Sequence, residues 1–251
     1  MLPAQIDDAA FDALHDRPDD WLPALRALAD GTFHGWPWLL MTRLTGRPMT
    51  PAWPGLDEAA KCALLRQIGA LIAQVQALPV PAALLARSLV WADFIATQRA
   101  GCAERQRRTG LPAHLLAQLG TFLAGPLPDT AADGAAARVL LTGEYTPMNL
   151  LVDHADAARL AGMFDFGDGL IGPPAYDWLG PLCFLAAGRP PRIAALREGL
   201  GLGVPWTADL RQRLLRLLLL HRYSQLRGQL QLDGWQAAPS FEDLAERLWG
   251  G

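Results

Sequence analysis

Cysteine is scarce in this chain of 251 residues, which contains only Cys62, Cys102 and Cys183. Three scattered cysteines are too few for a disulfide framework or a Cys-rich zinc site, so we expect reduced thiols in the core. Basic residues are not in excess either: the chain has 22 Lys and Arg and 25 Asp and Glu, which gives a net charge of -3. That balance gives no electrostatic footprint for a nucleic-acid partner.

Long apolar runs are missing as well. The longest leucine run, residues 217–220, lies between Arg216 and Arg222 and is far too short to span a membrane. Residues 5–8 are polar and acidic where a secretion signal needs an apolar region. With 51% hydrophobic and 19% charged residues, the composition predicts a cytoplasmic protein with a sizeable core and no membrane partner. It leaves the oligomeric state open.

Apolar residues recur at helical spacing in most of the chain. The spacing predicts a helix over residues 21–30 closed by Gly31, and another that begins at the N-cap Asp57 and ends before Pro79. Two more are expected over 89–108 and 112–123, and the tail from Leu196 onward reads as helical again. In that tail, the leucines should face inward and three arginines outward: Arg211, Arg213 and Arg216.

The N-terminal part has a different pattern. Residues 35–44 form an aromatic, strand-like run that ends at Gly46. A turn-rich connector follows over 48–54, with three prolines. We see no internal repeat.

Two short polar motifs carry chemistry. Residues 142–149 read TGEYTPMN, and residues 165–168 read DFGD. A carboxylate five residues ahead of an amide, with a second carboxylate downstream, is the catalytic-loop spacing of phosphoryl-transfer enzymes. Such chemistry needs a carboxylate to accept the proton of the attacking hydroxyl, and oxygen ligands for Mg²⁺. Glu144 can do the first, and Asn149 with Asp165 the second.

The flanks of these motifs support the assignment. Apolar runs at 138–141, 150–152 and 160–164 are typical of short buried strands, and polar residues 153–158 suit a hairpin tip. This places Asn149 and Asp165 at adjacent strand ends. Either motif alone would favour an ordinary turn, whereas their order, the flanks and a third acidic motif at Asp177 favour a catalytic site.

The two motifs, with residues 172–179 (GPPAYDWL), resemble the aminoglycoside phosphotransferase family. In that family the loop usually reads His-Gly-Asp, four residues, then Asn, and a Tyr-Asp-Leu motif follows the DFG-like turn. Residues 35–46 resemble the strand and hinge between the lobes, and 221–224 (HRYS) resemble a late helix of the hygromycin-kinase-like branch. The similarity spans roughly residues 33 to 227.

The resemblance implies an α+β, protein-kinase-like fold with a mostly helical C-terminal lobe and a reduced N-terminal lobe. Residues 1–46 would be the remnant of the nucleotide lobe and the hinge, and residues 47–251 the catalytic lobe. It implies an ATP- and Mg²⁺-dependent phosphotransferase acting on a hydroxyl of a small molecule such as an aminoglycoside-like antibiotic, with a role in antibiotic resistance.

Roles carry over residue by residue. Glu144 takes the place of the catalytic Asp, and Asn149 and Asp165 match the metal ligands. Asp177 matches an acidic residue that braces the loop. The hinge residues matching the nucleotide site are Met41, Arg43 and Leu44.

Three departures from the family pattern bear on function: Thr142 replaces the His, Glu144 replaces the Asp, and the N-terminal lobe is truncated. The only lysine, Lys61, falls in a predicted helix beyond the hinge. A Gly-rich loop and a strand lysine for the phosphates are not found before residue 35. The alternatives are therefore an enzyme with a minimal nucleotide lobe, a non-catalytic binding module, or a section of a longer kinase whose ATP lobe lies upstream of Met1.

Other candidates have simpler explanations. Asp168 could attract a cationic substrate or merely stabilise a turn. His221 could contact substrate, but a histidine among leucines is more often a satisfied helix residue. An adenine could stack on Trp36 and Trp38, although core burial is the default for indoles. A basic cluster, Arg105, Arg107 and Arg108, is expected to be a solvated helix face.

Overall fold

The computed structural model describes residues 27–80, 82–86, 88–128, 138–202 and 206–250. In the described part of the chain, no helix combines the length and the apolar character that crossing a membrane requires.

The described chain opens with an antiparallel hairpin. Strands β1 (Ala27–Phe33) and β2 (Trp36–Met41) pair, with Phe33 opposite Trp36. His34 and Gly35 form the turn with φ of 49° and 82°, and two positive φ values are what a tight two-residue hairpin turn requires.

This hairpin corrects two predictions. The helix expected over 21–30 is wrong for residues 27–30, which belong to β1, and Gly31 is a strand residue rather than a helix cap. Residues 21–26 lie outside the described part. Trp36 and Trp38 are 77% and 45% exposed, so their expected burial is also wrong.

The connector from the hairpin to the helical lobe passes through Gly46. Its φ is 121°, and a Cβ there would lie 2.8 Å from the carbonyl oxygen of Val152, so only glycine fits. After it, β3 (Arg47–Pro48) joins a small sheet, and the predicted turn-rich connector folds into a short helix α1 (Met49–Ala52) and a 3₁₀ turn (Trp53–Gly55).

The remainder is mostly helical. As predicted, Asp57 caps the next helix, because its carboxylate accepts from the Ala60 N–H at 2.8 Å. The tail from Leu196 onward, which was predicted to be helical, forms several short helices. The helices of this lobe are α2 (Glu58–Gln76), α3 (Ala82–Leu85), α4 (Trp91–Arg108), α5 (Ala113–Leu123), α6 (Ala175–Pro181), a π-helical segment (Leu182–Ala186), α7 (Pro190–Gly199), α8 (Ala208–Leu219), α9 (Leu226–Gln229), a 3₁₀ turn (Trp235–Ala237) and α10 (Phe241–Trp249).

The described residues between α5 and α6 include four short strands. Strands β4 (Val139–Leu141) and β7 (Leu170–Gly172) form one antiparallel pair. Strands β5 (Leu150–Val152) and β6 (Leu160–Met163) pair antiparallel and complete a three-stranded sheet in the order β3-β5-β6. The predicted strands and the hairpin tip at 153–158 are thereby confirmed.

The core corrects the prediction for two arginines. The Arg211 side chain is only 15% exposed and donates to the Trp206 carbonyl at 2.6 Å. Arg216 does not face solvent; it is 7% exposed, its Nε donates to the Phe122 carbonyl at 2.7 Å, and its guanidinium lies 4.5 Å from the Phe122 ring. It therefore ties α8 to the end of α5. Arg105 also turns inward, donating to the carbonyls of Ser224 and Leu219. All three cysteines are free, as expected.

Candidate active site

The loop between β4 and β5, residues 142–149, is a compact turn. The Thr146 N–H donates to the Glu144 carbonyl at 2.7 Å, and the Asn149 N–H donates to the Thr146 carbonyl at 3.0 Å. Gly143 has a φ of 73°, a conformation that favours glycine. These bonds bring Glu144 and Asn149 to the same side of the loop.

Asp177, on α6, holds the start of this loop. Its carboxylate is 2% exposed and accepts from the Thr142 N–H at 3.1 Å and the Gly143 N–H at 2.8 Å. Burial raises the pKa of Asp177 to about 7, although both N–H groups favour the ionised form. Gly180 on the same helix lets the loop come close, because a Cβ there would lie 2.6 Å from the Tyr145 carbonyl oxygen.

Glu144 and Asn149 contact each other directly. The Asn149 amide nitrogen donates to the Glu144 carboxylate at 3.1 Å and to the Glu144 carbonyl at 3.3 Å. Because the NH₂ group of Asn149 is used in this way, its amide oxygen is left for another partner. The pair is partly buried.

Asp165 reaches the same place from the neighbouring strand. It follows β6, and the Phe164 N–H donates to the Asn149 carbonyl at 3.1 Å, which extends the β5-β6 ladder to the two candidate ligands. Asp165 is exposed and has a φ of 67°, a left-handed conformation that Asp and Asn tolerate better than most residues.

The pKa of Glu144 is raised to about 7. Burial is the largest cause, followed by the Asp168 carboxyl group and then the charge of Asp165, whereas the hydrogen bond from Asn149 acts in the opposite direction. A carboxyl group that titrates near neutral pH is suited to accept a proton from a hydroxyl.

Asp168 is paired with two residues far along the chain. Arg222 forms an ion pair with it, and the Tyr223 hydroxyl donates to it at 2.6 Å. Burial works toward a higher pKa of Asp168, but the bonds from Tyr223 and Arg222 outweigh it and hold the pKa below its usual range. Sequence reasoning missed Arg222 and Tyr223 as site residues, since their partner Asp168 is 54 and 55 positions away.

The segment 221–223 is held firmly against α6. The His221 and Tyr176 rings stack at a centroid distance of 4.4 Å, and the Arg222 N–H donates to the Tyr176 hydroxyl at 3.1 Å. His221 lies just after α8, so the expected position within a helix is wrong. Burial lowers the pKa of His221 to about 4.

The three hinge candidates lie at the end of β2 and just beyond it. Met41 and Arg43 are exposed, and Leu44 is half-buried. Within the described residues, none of the observed hydrogen bonds or ion pairs joins them to the loop 142–149. Their role in nucleotide binding stays a prediction.

A helical lobe that carries a carboxylate, an amide and a second carboxylate on a hairpin is the arrangement of kinase-like enzymes. Comparison with known proteins agrees. The model of the phosphotransferase enzyme family matches residues 4–214, and the chain belongs to that family. The α+β, kinase-like fold with a helical C-terminal part is thereby confirmed.

Solved structures of aminoglycoside phosphotransferases share the fold. The GDP complex of wild-type aminoglycoside 2'-phosphotransferase-IIIa has a TM-score of 0.60 at 20% identity, over 91% of this chain and 76% of that chain. The streptomycin-ATP ternary complex of APH(2")-IIa has a TM-score of 0.56 at 12% identity, over 88% of this chain and 78% of that chain. ADP-bound APH(2'')-Ib has a TM-score of 0.55 at 13% identity, over 96% of this chain and 79% of that chain.

Proposed function

We propose that this protein is an ATP-dependent phosphotransferase that transfers a phosphoryl group to a hydroxyl of a small molecule. The observation that carries the proposal is the loop 142–149, braced by Asp177, in which Asn149 is hydrogen-bonded to Glu144. Asp165 directly follows Phe164, whose N–H donates to the Asn149 carbonyl. Family membership and the nucleotides in the similar structures support it. The proposed division places the reduced nucleotide lobe and hinge in residues 1–46 and the catalytic lobe in 47–251.

In this proposal Glu144 orients the acceptor hydroxyl and takes its proton as the oxygen attacks the γ-phosphorus. The bond between the γ-phosphorus and the bridging oxygen breaks, and a nucleoside diphosphate leaves. Asp177 keeps the loop in position through its two N–H bonds. Met41, Arg43 and Leu44 would contact the nucleotide, and Asp168 belongs to the acceptor side.

The residues present fit Mg²⁺. Asn149 and Asp165 would hold it through an amide oxygen and a carboxylate, the hard oxygen ligands that Mg²⁺ prefers. The bond from the Asn149 amide nitrogen to Glu144 leaves the amide oxygen for the metal. When bound, Mg²⁺ neutralises charge on the phosphates. Among the described residues, no three His, Cys, Asp or Glu side chains cluster as a metal site. Phosphate oxygens of the nucleotide would supply further ligands, as they usually do for Mg²⁺.

The test of this proposal is the substitution Asp165→Asn. Asn is isosteric and also tolerates positive φ, so the thermal transition should stay within about 2 °C, since a surface change of this kind costs little. Mg²⁺-dependent nucleotide binding, measured by calorimetry with ATP, should fall at least tenfold. Asp233→Asn makes the same charge change on an exposed turn and should leave binding unchanged. Equal ATP affinity in both variants would contradict the metal assignment.

One observation favours a second candidate, a non-catalytic binding module. The only lysine of the given sequence, Lys61, lies on α2 with its Nζ 5.8 Å from the centre of the Trp53 ring, so it does not occupy a strand as the phosphate-binding lysine of kinases does. This alternative predicts ligand binding without turnover. Nucleotide binding accompanied by no transfer to any hydroxylated acceptor would favour it over the enzyme.

A further inference from the structure

We propose that Arg222 is a specificity-determining residue that excludes ammonium-bearing acceptors, so that the natural acceptor is an uncharged hydroxylated compound. The guanidinium of Arg222 occupies the place beside Asp168 where an ammonium group of the acceptor would otherwise bind. This inference rests on the proposed function and narrows its substrate class.

The position of the ion pair links it to the reacting groups. A Cβ placed on Gly143, the residue before Glu144, would lie 3.4 Å from the Asp168 carbonyl oxygen, so the ion pair stands beside the proposed base. The Asp168 and Arg222 side chains are 31% and 26% exposed. The pair therefore forms part of an accessible wall of the site and is not hidden in the core.

Arg222 is held where it is by more than the ion pair. Its N–H donates to the Tyr176 hydroxyl, and its guanidinium lies 6.0 Å from the centre of the Phe94 ring. Tyr176 is in turn stacked on His221 and lies on α6 beside Asp177. These contacts hold residues 221–223 against α6 and keep the Arg222 guanidinium beside Asp168.

This arrangement selects the acceptor by charge and shape. Asp168 already has a cation and a hydroxyl donor, so it offers little to an ammonium group, and Arg222 repels one. Next to it, Tyr223 is 51% exposed, so its uncharged aromatic ring is accessible to a ligand. An uncharged hydroxylated ring fits that surface better than a polycation does.

The experiment compares kanamycin with its fully N-acetylated form, which has the same rings without ammonium groups, by calorimetry in the absence of nucleotide. The wild type should bind the acetylated form more tightly. Arg222→Gln keeps a donor for Asp168 but removes the cation, and should bind kanamycin at least tenfold more tightly than the wild type. Adding Asp168→Asn should abolish that gain. Arg227→Gln, an exposed arginine nearby in sequence, is the control and should change neither affinity.

Two results would overturn the inference: tighter binding of kanamycin than of its acetylated form by the wild type, or an unchanged kanamycin affinity in Arg222→Gln. The wild-type comparison needs no variant, so a folding defect in Arg222→Gln does not remove the test. The proposed function is tested by a separate measurement, namely ATP binding and phosphoryl transfer. Absence of ATP binding and transfer would count against the enzyme while leaving the charge comparison readable, and an active enzyme that prefers kanamycin would refute only the inference.

Discussion

Glu144 differs from the aspartate of the family pattern by one methylene, and the loop around it accommodates the longer side chain. Its carboxylate meets the Asn149 amide at 3.1 Å, the distance of an ordinary hydrogen bond. The Asn149 amide also reaches the Glu144 carbonyl, so side chain and backbone are anchored together. This geometry favours an adapted loop over a decayed one.

An adapted loop makes a definite prediction for two substitutions. Glu144→Gln keeps an acceptor for Asn149 but cannot take a proton, so turnover should fall by about 10²–10⁴-fold with nucleotide affinity unchanged. Glu144→Asp withdraws the carboxylate by about 1 Å and should slow turnover by roughly a hundredfold. Both are measured as the rate of phosphoryl transfer at saturating ATP. An aspartate variant faster than the wild type would show that the loop has not adapted.

At the scale of helices, α2 and α7 cross with almost no space between their backbones. A Cβ at Gly69 would lie 2.5 Å from the Leu196 carbonyl oxygen, and one at Gly199 would lie 2.0 Å from the Arg66 carbonyl oxygen. Two glycines facing each other across a crossing permit this approach. The neighbouring sheet also depends on the crossing, because Gln67 on α2 bonds to the backbone at Ala158 and Leu160, beside β6.

Adding one methyl group at this crossing should therefore be costly. Gly69→Ala should destabilise the protein by about 1–3 kcal/mol, because neither backbone can give way easily. Gly120→Ala is the matched control, since Gly120 is also helical and a Cβ there meets nothing within 4 Å. The control should instead stabilise by about 0.5–1 kcal/mol through helix propensity. Urea unfolding measures both, and equal effects would show that the crossing tolerates a side chain.

At the scale of the whole molecule, buried titratable groups make the stability depend on pH. His221 is stacked on Tyr176, and the charges that face it belong to Arg222, Arg105 and Asp168. Its pKa is about 4 in the folded protein against an ordinary value of 6.5, so the unfolded chain binds the proton more readily. The contribution of neutral His221 to the free energy of unfolding is complete above pH 6.5 and is lost as the pH falls toward 4.

Replacing His221 should remove this pH dependence. His221→Phe keeps a stacked ring and His221→Gln keeps an acceptor, yet neither can be protonated. When the pH falls from 7 to 4, the wild type should lose about 2 kcal/mol more unfolding free energy than either variant, after allowance for partial exposure of the ring. The measurement is urea unfolding at several pH values. A difference from the wild type that is the same at every pH would refute a buried neutral histidine.

The sequence alone determined the helical spacing of α2, α4 and α5, the strands around the loop, and the placing of Asn149 and Asp165 at adjacent strand ends. These features follow from the local periodicity of apolar residues and from the fixed geometry of a hairpin. Both can be recognised within a short window of the sequence. The family and the kinase-like fold could be predicted for the same reason, because the motifs lie within short segments.

Only the tertiary structure decided what depends on distant partners. Pairing with β2 makes residues 27–30 part of a strand although their spacing suited a helix. The carbonyls at the end of α5 draw Arg216 inward, and Asp168 is neutralised by residues 54 and 55 positions away. Hydrogen bonds and ion pairs of this kind join groups that lie far apart in the sequence. Because they form only when the chain folds, a local sequence pattern cannot show where they override secondary-structure propensity.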